Sequence, residues 1–305
     1  MEQEMLARDT SKRAATIGGI GSILFWCWSG VCFTQGGRLL GAMPYLALMT
    51  ATGTLTVAVL HVCGHRRLSE LIALPPRVVI AGFWGVAVYT VCLAWAFSAA
   101  EPHEIGQINL LNYLWPIWIV LLGSAMLKGH RCSPSTFLGA LLGFGGVIIS
   151  RGVEDLFHIP NRPLPHIVAL VGSFLWALYC ILLQRWRIRE EDGGTALNFA
   201  MCSIMAAGLA TWRGEWTSVV MTPKAVFWIL FGGIGPVGLG YHWWETGMKR
   251  GAVRFLGLLA YFIPVGSSIL IGLFFRKSMN LGLIPGAMMI AIGAWFAGRK
   301  EKMER

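Results

Sequence analysis

Ten apolar runs, each near the roughly 20 residues a helix needs to cross a bilayer, constrain this chain more than any motif in it. They lie near residues 13 to 33, 41 to 63, 77 to 100, 105 to 127, 134 to 150, 165 to 185, 195 to 212, 224 to 247, 252 to 275 and 280 to 298. Helix breakers sit in the gaps: Pro75-Pro76, Pro102, Pro134, Pro160 to Pro165, Gly193-Gly194, Pro223 and Gly251. The expected fold class is an all-α integral membrane protein with ten transmembrane helices, the fifth and seventh short. Composition points the same way. With 55% hydrophobic and 13% charged residues among 305, a water-soluble core would leave large apolar patches exposed.

The formal charge of +10 does not indicate nucleic acid, because the basic residues sit in short clusters between the apolar runs. Counted along the chain, 18 Lys and Arg fall in segments on the side of the N-terminus and seven on the other. The positive-inside bias therefore places both termini in the cytoplasm. Residues Met1 to Arg13 show no cleavage site of the signal-peptide type, so the first run is expected to stay as a membrane helix. The seven cysteines form no C-x-x-C pair and read as small apolar fillers.

The chain repeats itself at an offset of 148 residues: Trp95 meets Trp243, Tyr113 meets Tyr261, Pro116 meets Pro264 and Lys128 meets Arg276. After a one-residue slip Gly139 meets Gly286 and Gly146 meets Gly293, and Gly21-Ser22 resembles Gly172-Ser173. Five helices per half is an odd number, so the halves lie upside down to one another in the membrane, the arrangement that alternating access uses. The domains expected are a cytoplasmic segment (1–12), a first five-helix repeat (13–150), a periplasmic linker (151–164), a second repeat (165–298) and a cytoplasmic tail (299–305).

Polar groups inside the spans are few. On a helix, Asn109, Asn112, Tyr113 and Pro116 share one face, which points to a cavity instead of lipid. Pro116 and Pro264 each leave a backbone carbonyl without its usual donor, a hinge as well as an acceptor for an ammonium group. The structural alternative is helix-to-helix glue by asparagine and a tolerated proline kink. The stretch Phe231 to Glu245 holds glycines and a proline in its centre; Gly235 and Gly238 share a face with His242 and would loosen the helix or pack it closely. Trp26, Tyr89, Trp176, Tyr179, Trp243 and Tyr261 sit mid-span beside small or polar residues, where they could stack on planar groups and face an amine. Trp84, Trp212, Trp216, Trp228 and Trp295 read as interfacial belt residues.

Glu245 is the one acidic residue within a span, and its neighbours Lys249 and Arg250 suggest a solvated ion pair at the inner interface. His61 and His65, at i and i+4, lack a third ligand and read as a solvated pair beside Arg66 and Arg67. The chain has no G-x-S-x-G, H-E-x-x-H, P-loop or acidic metal–diphosphate cluster. No enzymatic activity, cofactor or metal is expected.

With its ten runs, two inverted halves and paired prolines, the chain resembles the drug/metabolite transporter superfamily of the EamA-like type from about residue 13 to 298. Asn112-Tyr-Leu-Trp-Pro116 resembles more narrowly the YddG-type aromatic amino-acid exporters. The resemblance implies a bacterial inner-membrane exporter. Its cavity would lie between the third, fourth, eighth and ninth helices and the flanking first and sixth. Pro116 and Pro264 would be hinges, and Asn112, Tyr113 and Trp115 lining or supporting residues. Many relatives carry Gly-Glu after the fourth helix, where this chain has Lys128-Gly129-His130. The expected partners are an amino-acid substrate and the lipid bilayer, with a monomer as the working unit. The alternatives are an exporter of drugs or other small metabolites, or a membrane-embedded enzyme or scaffold.

Overall fold

The computed structural model describes residues 2–65, 67–99, 105–127, 134–151, 163–188, 194–275 and 282–301, and every regular element among them is helical. Helices α1 (Glu2–Cys27) and α2 (Ser29–Leu40) meet at Trp28 with a bend of 41°. Gly41 follows at φ +86°, a turn that a side chain would strain, and releases the chain into α3 (Ala42–Cys63). A first rod comprises α4 (Pro76–Gly82), a π-helical segment (Phe83–Val88) and α5 (Tyr89–Ala99). Next come α6 (Ile105–Asn112), α7 (Trp115–Met126), α8 (Pro134–Arg151), α9 (Pro163–Arg185) and α10 (Thr195–Trp212). A second rod comprises α11 (Pro223–Gly232), a π-helical segment (Gly233–Leu239) and α12 (Gly240–Arg250); α13 (Val253–Leu259), α14 (Phe262–Phe275) and α15 (Leu283–Glu301) complete the chain.

Local chemistry explains the boundaries. Proline opens α4, α8, α9 and α11, where a helix has no use for the missing N–H and the fixed φ is already helical. Thr222 caps α11, its hydroxyl accepting from the Ala225 amide at 3.2 Å. Between α6 and α7 the chain tightens, with the Leu114 amide donating to Leu111 three residues back. The same happens between α13 and α14, where the Tyr261 amide donates to Leu258. Each of these turns precedes a proline, Pro116 or Pro264, that has no N–H for the preceding turn.

Among the described residues, six helical spans are long and apolar enough to cross a membrane, or seven with the bent α1–α2 pair counted as one. Three shorter apolar helices, Leu110–Met126, Pro134–Ser150 and Leu283–Gly293, accompany them. Ile17, Leu55, Ile204 and Ile284 are exposed, a surface that lipid accepts and water does not. The chain is a multi-pass membrane protein. The first span differs from the sequence expectation of 13 to 33: it continues to Leu40 and bends at Trp28. Trp228 also departs from its expected place in the aromatic belt. It is buried against Phe231 and Phe274, and its carbonyl accepts the Tyr45 hydroxyl at 3.1 Å. Trp84 and Trp212 are exposed as a belt requires.

Without a hydrophobic drive between helices in lipid, close packing must hold the bundle, and small residues allow it. Helices α8 and α15 meet backbone to backbone. A Cβ on Gly146 would strike the Gly286 carbonyl, one on Gly286 the Gly146 carbonyl, and one on Gly293 the Gly139 carbonyl. In the second rod Gly233 fits against Thr52 and Gly238 against Thr56, which seats its π segment along α3.

Candidate functional site

A cavity of about 160 Å³ lies among the helices, lined from α1–α2, α3, both rods, the α6–α7 turn, α9, α10 and α14. One of its walls is aromatic. The Trp26 ring lies 5.0 Å from Tyr241 and 6.1 Å from Trp176, Tyr241 sits 5.3 Å from Trp176 and 4.6 Å from Phe199, and Tyr89 stacks on Trp176 at 20°. Trp115 meets Trp176 edge-on. Edge-to-face pairs of this kind add about 0.5–1.5 kcal/mol each beyond burial, so the wall is stiff. The Trp26 indole N–H donates to the Pro236 carbonyl at 3.0 Å, tying α1 to the second rod at its π segment.

The polar lining is sparse. Among the described residues no Asp, Glu, Lys, Arg or His lines this cavity. The Tyr89 hydroxyl donates to Asn112 Oδ1 at 2.8 Å. The Thr50 hydroxyl is satisfied by the Leu46 carbonyl at 2.7 Å. Thr90 differs: its buried hydroxyl lacks a hydrogen-bond partner among the described residues.

Of the residues singled out from the sequence, Trp26, Tyr89, Asn112, Tyr113 and Trp176 are brought together on the cavity. Tyr179 stands one layer behind, 5.9 Å from Trp176, and accepts from Asn198 Nδ2 at 3.1 Å. Trp243 closes the seam between α12 and α1, against Gly18, Gly21 and Phe25. Tyr261 is fully buried, its ring over Gly143 of α8, so the repeated pair divides: Tyr113 lines the cavity while Tyr261 packs away from it. His242 is half-buried and outside the lining. Pro116 and Pro264 are buried at the starts of α7 and α14. Gly235 fits against the Phe25 ring and Gly238 against Thr56, both as close-packing contacts within the π segment. The side chains of Asn109 and Trp295, and all of Lys128-Gly129-His130, lie outside the described residues.

Tyr241, Phe199 and Thr90 were not singled out from the sequence. The π-helical turn explains the first. An α-helical wheel puts His242 on the face of Gly235 and Gly238, but the residues of this rod that line the cavity are Pro236, Val237 and Tyr241; the five-residue step from Pro236 to Tyr241 is the π spacing, which keeps the two on one face. Phe199 lies on α10, in a run without polar punctuation, and Thr90 is an isolated hydroxyl next to Tyr89.

A second, smaller pocket lies behind Trp176, Phe199 and Tyr241, and Glu245 stands in it. The solvated ion pair expected for Glu245 is instead buried. Its carboxylate meets Lys249 Nζ at 2.8 Å, with only 6% and 3% of the two side chains exposed. It also accepts from the backbone amides of Gly194 at 3.0 Å and Thr195 at 3.2 Å, and from the Thr195 hydroxyl. The free amides that open α10, together with the helix dipole, suit an anion. Glu245 thus joins α12 to the start of α10. The His61 and His65 pair also differs from expectation. His61 is buried, with Nε2 3.1 Å from the Arg67 carbonyl and 3.4 Å from Glu70, while His65 is exposed.

Comparison with known proteins agrees with this architecture. A solved crystal structure superposes with a TM-score of 0.82 at 26% identity, covering 93% of this chain and 96% of its own. The protein named aromatic amino acid exporter YddG from Ancylobacter novellus is 32% identical over 273 residues, 86% of this chain and 88% of that one. The protein of the same name from Salmonella typhimurium is 25% identical over 311 residues, 96% of this chain and all of its own. The EamA-like transporter family matches residues 13–152 and 164–299. On that match, which takes in both halves of the bundle and every element of the cavity, the chain belongs to the EamA-like transporter family.

Proposed function

We propose that this transporter exports aromatic amino acids, and other amino acids of similar shape, by alternating access through the central cavity. The observation that carries the reading is the cavity lining: stacked and edge-on aromatic rings with a few uncharged polar groups. A planar side chain gains contact there without a charge being stranded in the membrane. The relatives named as aromatic amino acid exporters support the same substrate class.

Ten spans in two inverted halves form the frame of this reading, and several paired features support it. The π segments stand at Phe83–Val88 and Gly233–Leu239, in the third and eighth spans. The tightened turns precede Pro116 and Pro264, in the fourth and ninth. In the fifth and tenth, the repeat maps Gly139 onto Gly286 and Gly146 onto Gly293; the contact of Gly146 with Gly286 then maps onto that of Gly293 with Gly139, and both contacts occur. A two-fold relation between the halves would produce this pattern. The helices rock about Pro116, at the α6–α7 break, and Pro264, at the α13–α14 break, with the glycines of the second π segment, Gly235 and Gly238, absorbing the strain. Both termini lie in the cytoplasm of a bacterial inner membrane, and one chain forms the working unit.

In this orientation Ser29, Phe33 and Leu93 line the outward half of the cavity, and the Glu245 cluster lies inward of the aromatic wall. The side that must open for loading is therefore the one tied by Glu245. Purified protein in liposomes should move labelled Phe and Trp above the level of empty vesicles. Flux of planar organic cations that unlabelled amino acids fail to inhibit would overturn the amino-acid assignment.

A further inference from the structure

The reading above leaves open how the cavity holds the amino-acid backbone, and two side chains answer it. The side-chain carbonyl oxygen of Asn112 already takes one hydrogen bond and keeps one further lone pair, so the two Nδ2 hydrogens are the larger share of what the side chain still offers. Tyr89 has a single hydroxyl hydrogen and donates it to Asn112 Oδ1 at 2.8 Å. The Tyr89 ring is itself held against Trp176. The two Nδ2 hydrogens of Asn112 seek an acceptor. Thr90, next to Tyr89 on α5, lines the same cavity with a buried hydroxyl that has no partner among the described residues. A buried polar group left without a partner is costly unless a ligand meets it.

We propose that Asn112 Nδ2 and Thr90 Oγ1 together hold the α-carboxylate of the transported amino acid, and that they are specificity-determining residues of this site. The inference rests on the exporter reading. Two amide hydrogens and a hydroxyl suit a carboxylate's two oxygens, and an ammonium, which has no acceptor lone pair, cannot use the amide hydrogens. The lining carries no charged side chain among the described residues. The countercharge must then arrive with the ligand, as the ammonium of the same molecule. Pro116 assists at that end: having no N–H, it leaves the Asn112 main-chain carbonyl without the donor that a continuous helix would supply. Side chain and main chain of one residue would thus address the two charges of a zwitterion.

The test is competition for labelled L-phenylalanine binding to the purified full chain, with unlabelled L-phenylalanine and L-phenylalaninamide as probes. The amide keeps the ring and ammonium and lacks the carboxylate. In the wild type the amide should compete at least tenfold more weakly than phenylalanine. Thr90→Val, which keeps the shape and removes the hydroxyl, should weaken phenylalanine about fivefold to tenfold and leave the amide unchanged. Asn112→Asp still accepts from Tyr89 but presents a negative oxygen where the N–H groups were, and it should reverse the preference in favour of the amide. Equal competition by the two ligands in the wild type would overturn the proposal, even if neither variant folds. So would a Thr90→Val protein that weakens both ligands alike, or an Asn112→Asp protein that still prefers phenylalanine. Absence of any phenylalanine binding in the wild type would instead sink the exporter reading on which the proposal stands.

Discussion

Glu245 and Lys249 lie one turn apart on α12 and are both withdrawn from solvent, a placement in which each charge depends on the other. Removing one partner of such a pair typically costs about 3–5 kcal/mol, because the remaining charge is left buried. Glu245→Gln should therefore lower the unfolding temperature in detergent markedly, and Lys249→Met added to it should recover part of the loss. Thermal unfolding of the two proteins checks this; equal temperatures for wild type and Glu245→Gln would show that the pair adds no stability. From the sequence, Glu245 could be located to within a turn of the membrane edge, but its burial could not. That depends on Gly194 and Thr195, some 50 residues earlier in the chain, arriving over its carboxylate. Asn112, Tyr89 and Trp26 were easier to find, because a polar or aromatic residue inside an apolar run has few places to go.

At the scale of elements, helices and their breaks were legible wherever proline or a glycine pair marked them. The π segments were not. Nothing in Phe83 to Val88 distinguishes it from an ordinary helical turn, and in Gly233 to Leu239 the π spacing aligns Pro236 with Tyr241 on the cavity, a pairing that an α-helical wheel does not make. Pro116 offers the cleanest test of motion at this scale. It sits in the first turn of α7, where Ala is also tolerated, and Pro116→Ala restores an N–H to the break between α6 and α7. The variant should be at least as stable as the wild type while its liposome flux falls about tenfold, a barrier increase of roughly 1.4 kcal/mol. Unchanged flux would show that the α6–α7 turn is not a moving part.

At the scale of the whole molecule, the matched prolines and glycines of the sequence repeat are what suggest two halves. The function was less legible, because the halves diverge where they meet the cavity. Tyr113 faces that space and Tyr261 does not; Asn112 has Ala260 opposite it in the repeat, and Glu245 has Phe97. The Gly139, Gly146, Gly286 and Gly293 contacts belong to the part that did not diverge, since a single methyl there would push α8 off α15.

That no charged side chain among the described residues lines the cavity has an electrical consequence. Moving one elementary charge across a membrane potential is worth about 2.3 kcal/mol per 100 mV, and a carrier whose loaded and empty sites are both neutral gains and loses none of it. Export of a zwitterion should then proceed at the same rate whether the vesicle interior is held negative, positive or at zero by a potassium gradient and valinomycin. A flux that scales with the imposed voltage would mean that a charge travels with the substrate. If the rates agree, the gradient of the amino acid alone sets the direction of travel, and the cell can drain an excess without drawing on its membrane potential.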